Sequence, residues 1–126
     1  MRLLQLATAL LLPFGAFAAK SASADKFADF NAKQVSKSGP IKLDDISYSK
    51  LTAAPRDYSV AVLLTALEAR FGCGICHEFQ PEWDVLGKSW TKGDKKAGSR
   101  LVFGTLDFVD GKGTFQSVWK IIPFVG

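Results

Sequence analysis

The sequence predicts an α/β domain whose sheet is at least partly parallel. Two observations carry this: two apolar, β-branched runs, Tyr58–Leu67 and Arg100–Val109, and a segment of helical periodicity lying between them. Neither run alternates apolar with polar residues, which is the pattern of strands covered on both faces. A strand, a helix and a further strand in that order form the unit that builds parallel sheets.

Residues Met1–Ala18 carry a basic Arg2, an apolar stretch from Leu3 to Phe17 and the small-x-small site Ala16-Phe17-Ala18. These are the parts of a secretory signal peptide, so residues 1–18 are expected to be removed and residues 19–126 to form a single luminal domain. The apolar stretch is short for a membrane span, and Lys20-Ser21 follows it closely. Asp25–Lys37 places Phe27, Phe30 and Gln34-Val35 at helical spacing after Asp25, and Ser38-Gly39-Pro40 ends that helix. Ile41–Leu43 is a short strand. Asp44-Asp45 then cap a helix over Ile46–Thr52, which Pro55 stops. Tyr58–Leu67 is expected to be the central strand, and Glu68–Gly72 the loop leaving its carboxyl end.

From Cys73 onward, Cys76, Phe79, Trp83, Leu86 and Trp90 recur at intervals of three and four, predicting a helix with these residues on its buried face. Pro81 lies inside it and should kink it, since proline lacks a donor and its ring meets the carbonyl of His77. Lys92–Gly98 is a glycine-rich, solvated loop. Arg100–Val109 is the next strand, Asp110–Gly113 a turn, and Thr114–Trp119 a short helix before Pro123.

The two cysteines of the chain form the motif Cys73-Gly74-Ile75-Cys76, with Pro81 five residues beyond. A helix starting at the first cysteine turns its unpaired N–H groups and positive dipole end towards that sulfur, which favours thiolate over thiol. Cys73 is therefore the expected nucleophile. Cys76, one turn further in and more buried, can attack a mixed disulfide intramolecularly and is the expected resolving thiol. Gly74 lets the backbone turn tightly, and Ile75 adds no charge of its own.

Three other readings of the motif compete. A zinc site needs about four ligands, whereas the chain offers two cysteines and His77, which adjoins Cys76. A structural disulfide closing so short a loop removes little entropy from the unfolded chain. Two unrelated buried thiols suit a reducing compartment, against the secretory leader. No metal and no cofactor are expected.

A net charge of +4 is mild, and the bunched Lys88, Lys92, Lys95, Lys96 and Arg100 read as a solvated loop in a secreted chain, so no nucleic-acid partner is expected. The asparagine Asn31 is followed by Ala-Lys and makes no glycosylation sequon.

The order of elements, together with Cys73, Cys76, Pro81 and the strand Arg100–Val109, resembles the thioredoxin fold over most of the mature chain. That resemblance implies three layers around a central mixed sheet, with the C-terminal strands of the fold missing from this chain. In that family a cis-proline opposite the cysteines binds the substrate backbone, and Ile122-Pro123 is the position where it is expected here.

A closer resemblance rests on Pro55-Arg56-Asp57-Tyr58-Ser59-Val60 and on Phe71-Gly72-Cys73-Gly74-Ile75-Cys76-His77-Glu78-Phe79-Gln80-Pro81-Glu82-Trp83. From about Ile41 to Gln116 the chain is similar to the luminal domain of the thioredoxin-like subunit of the oligosaccharyltransferase complex of the endoplasmic reticulum. The resemblance implies an accessory role in protein N-glycosylation, through transient mixed disulfides with nascent cysteine-containing polypeptides. It also implies other subunits of that complex as partners, an endoplasmic reticulum location, and membrane attachment only through a C-terminal region that this chain lacks.

Gly72 stands where soluble thioredoxins and disulfide isomerases usually carry tryptophan, which favours this reading over a free luminal thiol-disulfide isomerase. A module that holds peptides without redox chemistry is the third alternative. His77 follows the motif and is read as an exposed helix residue.

Overall fold

The computed structural model describes residues 15–96 and 98–121. Eight elements follow one another: helix α1 (Gly15–Lys37), strand β1 (Ile41–Leu43), helix α2 (Asp45–Thr52), strand β2 (Ser59–Thr65), a single 3-10 turn (Ala69–Phe71), helix α3 (Gly74–Lys92), strand β3 (Leu101–Asp107) and helix α4 (Lys112–Ile121). Among the described residues no helix is long and apolar enough to cross a membrane.

The three strands form one parallel sheet in the order β1-β3-β2. Parallel pairing follows from the helical crossover α3, which returns the chain to the starting end of the sheet before β3 begins. The register sets Leu43 beside Leu106 and Thr65 beside Asp107.

This order corrects one expectation. Tyr58–Leu67 was expected to supply the central strand, yet β3 holds the centre and β2 is bonded on one side only among the described residues. Burial follows the topology: Val102, Phe103 and Leu106 of β3 are buried, whereas in β2 only Thr65 is. Apolar composition does not mark the strand with two neighbours: Tyr58–Leu67 carries no charge, whereas the run that contains β3 includes Arg100 and Asp107.

One face of the sheet carries the main core. Ile41, Leu43, Val102 and Leu106 pack there with Leu51 of α2, Tyr58 and Phe30 of α1, and Tyr48 and Phe115 close the margin. The opposite face is covered by α3 through Trp83 and Trp90, whose rings lie 5.4 and 6.2 Å from that of Phe103. Helices thus cover both faces, giving three layers compatible with a thioredoxin-like fold.

Helix α3 buries a different stripe from the one its apolar residues outline. Phe79 and Leu86 are exposed, and the inward positions are Cys76, Gln80, Trp83, Gly87 and Trp90. The spacing of three and four is kept, rotated by about one position. Gly87 explains the rotation, because a Cβ there would meet the Pro40 ring at 2.5 Å. Only glycine lets the helix approach the start of β1 so closely. Pro81 lies within α3, as expected, and is exposed.

Helix α1 reaches the sheet through a polar contact. Gln34 is fully buried; its amide nitrogen donates to the carbonyl of Leu101 at 2.9 Å, and its oxygen accepts from Phe103 N–H at 3.0 Å. Strand β1 pairs with β3 only from Gly104 onward, so the Gln34 amide continues the ladder where β1 has not begun. A buried polar group is tolerated when its hydrogen bonds are made, and removing it strands the backbone partners.

Helix starts are handled by side chains. Asp44 caps α2, accepting from Ser47 N–H at 2.7 Å, while Ser47 Oγ accepts from Asp44 N–H at 2.8 Å. Asp45 serves α4, far away in sequence: its carboxylate accepts from Gly113 N–H at 3.2 Å and from the N–H and hydroxyl of Thr114 at 2.8 and 2.7 Å. Those N–H groups would otherwise be the unpaired donors of the first helical turn. This is why α4 starts at Lys112, inside the segment expected to be a turn.

Two outcomes follow from these contacts. Gln34→Leu leaves the Phe103 N–H unpaired in the interior and should lower unfolding stability by about 2–3 kcal/mol, measured by denaturant titration; a loss within experimental error would show that α1 is held by apolar contacts alone. The hydrogen bonds from Thr114, and after them that of Gly113, hold the Asp45 carboxyl below its ordinary value, and those of Ser47 do the same for Asp44. Carboxyls depressed in the folded state stabilise it above their unfolded values and lose that contribution as the pH falls through the folded ones. Thermal unfolding temperature should therefore fall on acidification below about pH 4, with a shallower acid limb in Asp45→Asn.

Candidate redox site

Strand β2 ends at Thr65, and the chain leaves the sheet through Ala66-Leu67. Asp107, at the end of β3, secures this exit: one carboxylate oxygen accepts from Leu67 N–H at 3.0 Å and the other from Val109 N–H at 3.1 Å. The 3-10 turn follows and closes at Gly72, whose φ of 60° lies in the left-handed region that glycine enters without steric cost. That turn delivers Cys73 to the start of α3.

Cys73 is the N-cap residue of α3 and is disulfide-bonded to Cys76, with Cα atoms 5.3 Å apart. Its Sγ accepts a hydrogen bond from Cys76 N–H at 3.3 Å. The first cysteine thus occupies the position where a helix presents unpaired N–H donors and the positive end of its dipole. Gly74 and Ile75, between the two, are exposed, Ile75 by 75 %.

Both cysteines are half-buried, so the expected contrast in burial between them is not seen in the oxidised pair. Their surroundings do differ. Cys76 lines a groove with Leu63, Leu64 and Thr65 of β2 and with Ile75 and Phe79 of α3, which turns it towards the preceding strand. His77 is exposed on α3. Ile122 and Pro123, the expected substrate-binding pair, lie outside the described residues, as does most of the expected signal peptide.

Two features escaped the sequence reading. The first is an aromatic ladder behind the loop: Phe71 packs edge-on against Phe108 at 5.1 Å between ring centres, and Phe108 against Phe115 of α4 at 5.4 Å. It braces the approach to Cys73 from the far side, through residues spread over three segments. The second is Asp107, whose only local signal is a carboxylate inside an otherwise uncharged strand. Among the described residues no group of three or more His, Cys, Asp or Glu side chains is placed to hold a metal ion.

Comparison with known proteins adds to this geometry. Residues 28–119 match the family model described as OST3 / OST6 family, transporter family. A zebrafish (Danio rerio) protein described as dolichyl-diphosphooligosaccharide–protein glycosyltransferase subunit MAGT1 is 35% identical over 83 residues, covering 65% of this chain and 25% of its own length. The human (Homo sapiens) protein of the same description is 32% identical over 77 residues, covering 60% of this chain and 23% of its own. The chain spans about a quarter of the length of these relatives.

Proposed function

The chain belongs to the OST3/OST6 family, and from that premise we propose that it acts as a thioredoxin-like accessory subunit of the oligosaccharyltransferase complex, forming transient mixed disulfides with nascent polypeptides. The observation that carries this reading is Cys73 at the N-cap of α3, bonded to Cys76. In the same reading residues 1–18 are a cleaved leader and residues 19–126 a domain in the endoplasmic reticulum lumen, beside other subunits of the complex. Glycosyl transfer itself is assigned elsewhere.

The chemistry is exchange between sulfurs. A thiolate of the polypeptide attacks Cys73 Sγ; the Cys73–Cys76 bond breaks and its electron pair leaves on Cys76 Sγ. The polypeptide is then held covalently. Release reverses the step: the Cys76 thiolate attacks Cys73 Sγ, the mixed disulfide breaks, and the electron pair returns to the polypeptide sulfur. No net oxidation occurs, so an encounter delays a nascent cysteine without consuming an oxidant.

Residue roles follow from position. The Cys76 N–H and the start of α3 favour charge on Cys73 in the reduced protein, making it the sulfur that attacks a disulfide at moderate pH, whereas in the oxidised pair Cys73 is the sulfur attacked and Cys76 the one that leaves. Gly72 and Gly74 keep bulk away from the disulfide, Ile75 offers apolar contact, and Pro81 removes a donor from the turn that follows the pair. Ile122-Pro123 is proposed to bind the polypeptide backbone.

Two measurements test the roles. Alkylation of the reduced protein at mildly acidic pH should label Cys73 before Cys76, and the reverse order would exchange their functions. Offered a cysteine peptide as its disulfide with a small thiol, Cys76→Ser should accumulate a reductant-sensitive peptide adduct at Cys73, while Cys73→Ser accumulates far less. Equal adduct in the two variants would remove the mechanism.

A further inference from the structure

Between α3 and the sheet, sharing Thr65 with the groove that holds Cys76, lies a second opening whose chemistry the exchange reaction does not use. It has a volume of about 500 Å³ and sits at the carboxyl ends of all three strands, where Lys42, Thr65, Thr105 and Asp107 point from the sheet and Gln80 and Asp84 from α3. Open α/β sheets place ligands at this end. Thr65 also lines the groove that holds Cys76, so the two openings share a wall.

The lining is unlike the chain as a whole. The protein is basic, with 16 Lys and Arg against 12 Asp and Glu, whereas this cavity gathers Glu68, Asp84, Asp107 and Asp110 against Lys42. Lys42 is engaged, 3.8 Å from Asp110, and Glu68 is paired with Arg70 at 2.6 Å, which leaves Asp84 and Asp107 as the carboxylates of the cavity without an ion pair among the described residues. A second, independent observation concerns hydrogen bonding: among the described residues, Thr65 Oγ1 and Gln80 Oε1 are buried without a partner. Thr65 is 3 % exposed. Buried polar atoms are ordinarily satisfied, and here two orphans from facing elements border one cavity. The Gln80 amide nitrogen donates to Asp84 at 3.0 Å, which leaves its carbonyl oxygen as an acceptor. Pro40, Leu67 and Val109 supply apolar walls around these acceptors.

A site rich in acceptors and carboxylates, poor in donors and walled by apolar side chains takes a ligand with an aliphatic stem and a donor-bearing cationic tip. We propose that this cavity is a subsite for a lysine or arginine side chain of the polypeptide held at Cys73, selecting cysteines that have a basic residue nearby in sequence. The inference rests on the exchange function proposed above, and it adds a substrate preference to it. Asp84, Asp110 and Thr65 are positioning residues here; none touches the reacting sulfurs.

The test uses peptides with a single cysteine, offered as its disulfide with a small thiol that leaves when Cys73 attacks, and with a lysine walked along either side of that cysteine, each paired with a norleucine and a glutamate counterpart. In Cys76→Ser, the best-placed lysine peptide should form adduct about fivefold faster than its norleucine partner at low salt, and high salt should shrink the difference. Asp84→Asn combined with Asp110→Asn should abolish the preference while leaving the norleucine rate unchanged. The same peptides with serine in place of cysteine, titrated into the wild-type chain, should shift the NMR signal of the Trp83 indole N–H, which donates to Thr105 at the cavity wall at 3.0 Å. Thr65→Val should weaken that shift if the double variant fails to fold. Equal adduct rates for lysine and norleucine at every position, or indole shifts that do not depend on the lysine, would overturn the subsite. Absence of adducts with every peptide would count against the exchange function instead, and the titration would then decide the subsite by itself.

Discussion

Strand β3 is hydrogen-bonded along both edges, to β1 over Gly104–Leu106 and to β2 from Leu101 to Asp107, and every other element takes its place from those two ladders. Its side chains alternate between two cores: Val102 and Leu106 face the layer that contains α2 and α4, and Phe103 faces α3. The strand is anchored at both ends by side-chain amide or carboxylate groups. Gln34 holds Leu101 and Phe103 at the amino end, and Asp107 gathers Leu67 and Val109 at the carboxyl end. Backbone groups at the ends of a strand are costly to leave unpaired where they are withdrawn from water, and these side chains pair them.

The position of the disulfide is a consequence of this anchoring. Asp107 ties the exit of β2 to the end of β3, so the loop that carries Cys73 leaves the sheet at a defined point. Phe71, packed against Phe108 and through it against Phe115, then limits how far that loop can swing. Gly72 makes the last turn. By the time the chain reaches Cys73, its backbone has been directed into the N-cap of α3, where sulfur meets the Cys76 N–H. The reactive geometry therefore depends on contacts made by residues that carry no sulfur chemistry.

The same end of the sheet gathers charge of the opposite sign from the chain's excess. Lysines are displayed on the outer positions of α3 and on the loop after it, whereas four carboxylates border the opening beneath its first turns. The acidic opening and the apolar groove at Cys76 meet at Thr65, so this contrast in chemistry lies across a single residue.

Much of this was legible in the residues alone. The Cys73-to-Cys76 spacing announces a dithiol at a helix start; Asp44 before Ile46 and Ser38-Gly39-Pro40 after Lys37 announce helix ends; and Ile41–Leu43 announces β1 at its observed bounds, because each of these signals is local and acts through the backbone of its own segment. What the tertiary structure decided are matters of pairing between distant segments. Tyr58–Leu67 is the run without a charge, yet among the described residues β3 is the strand with a neighbour on each side. Hydrophobicity marked Phe79 and Leu86 as buried, but the close approach that Gly87 permits to Pro40 turned α3 so that Gln80 and Gly87 face inward instead. Asp45 capping α4, Gln34 extending a strand ladder and the orphaned Thr65 and Gln80 oxygens have no local signature, because a side chain's hydrogen-bonding partner is chosen by the fold and not by its neighbours in sequence.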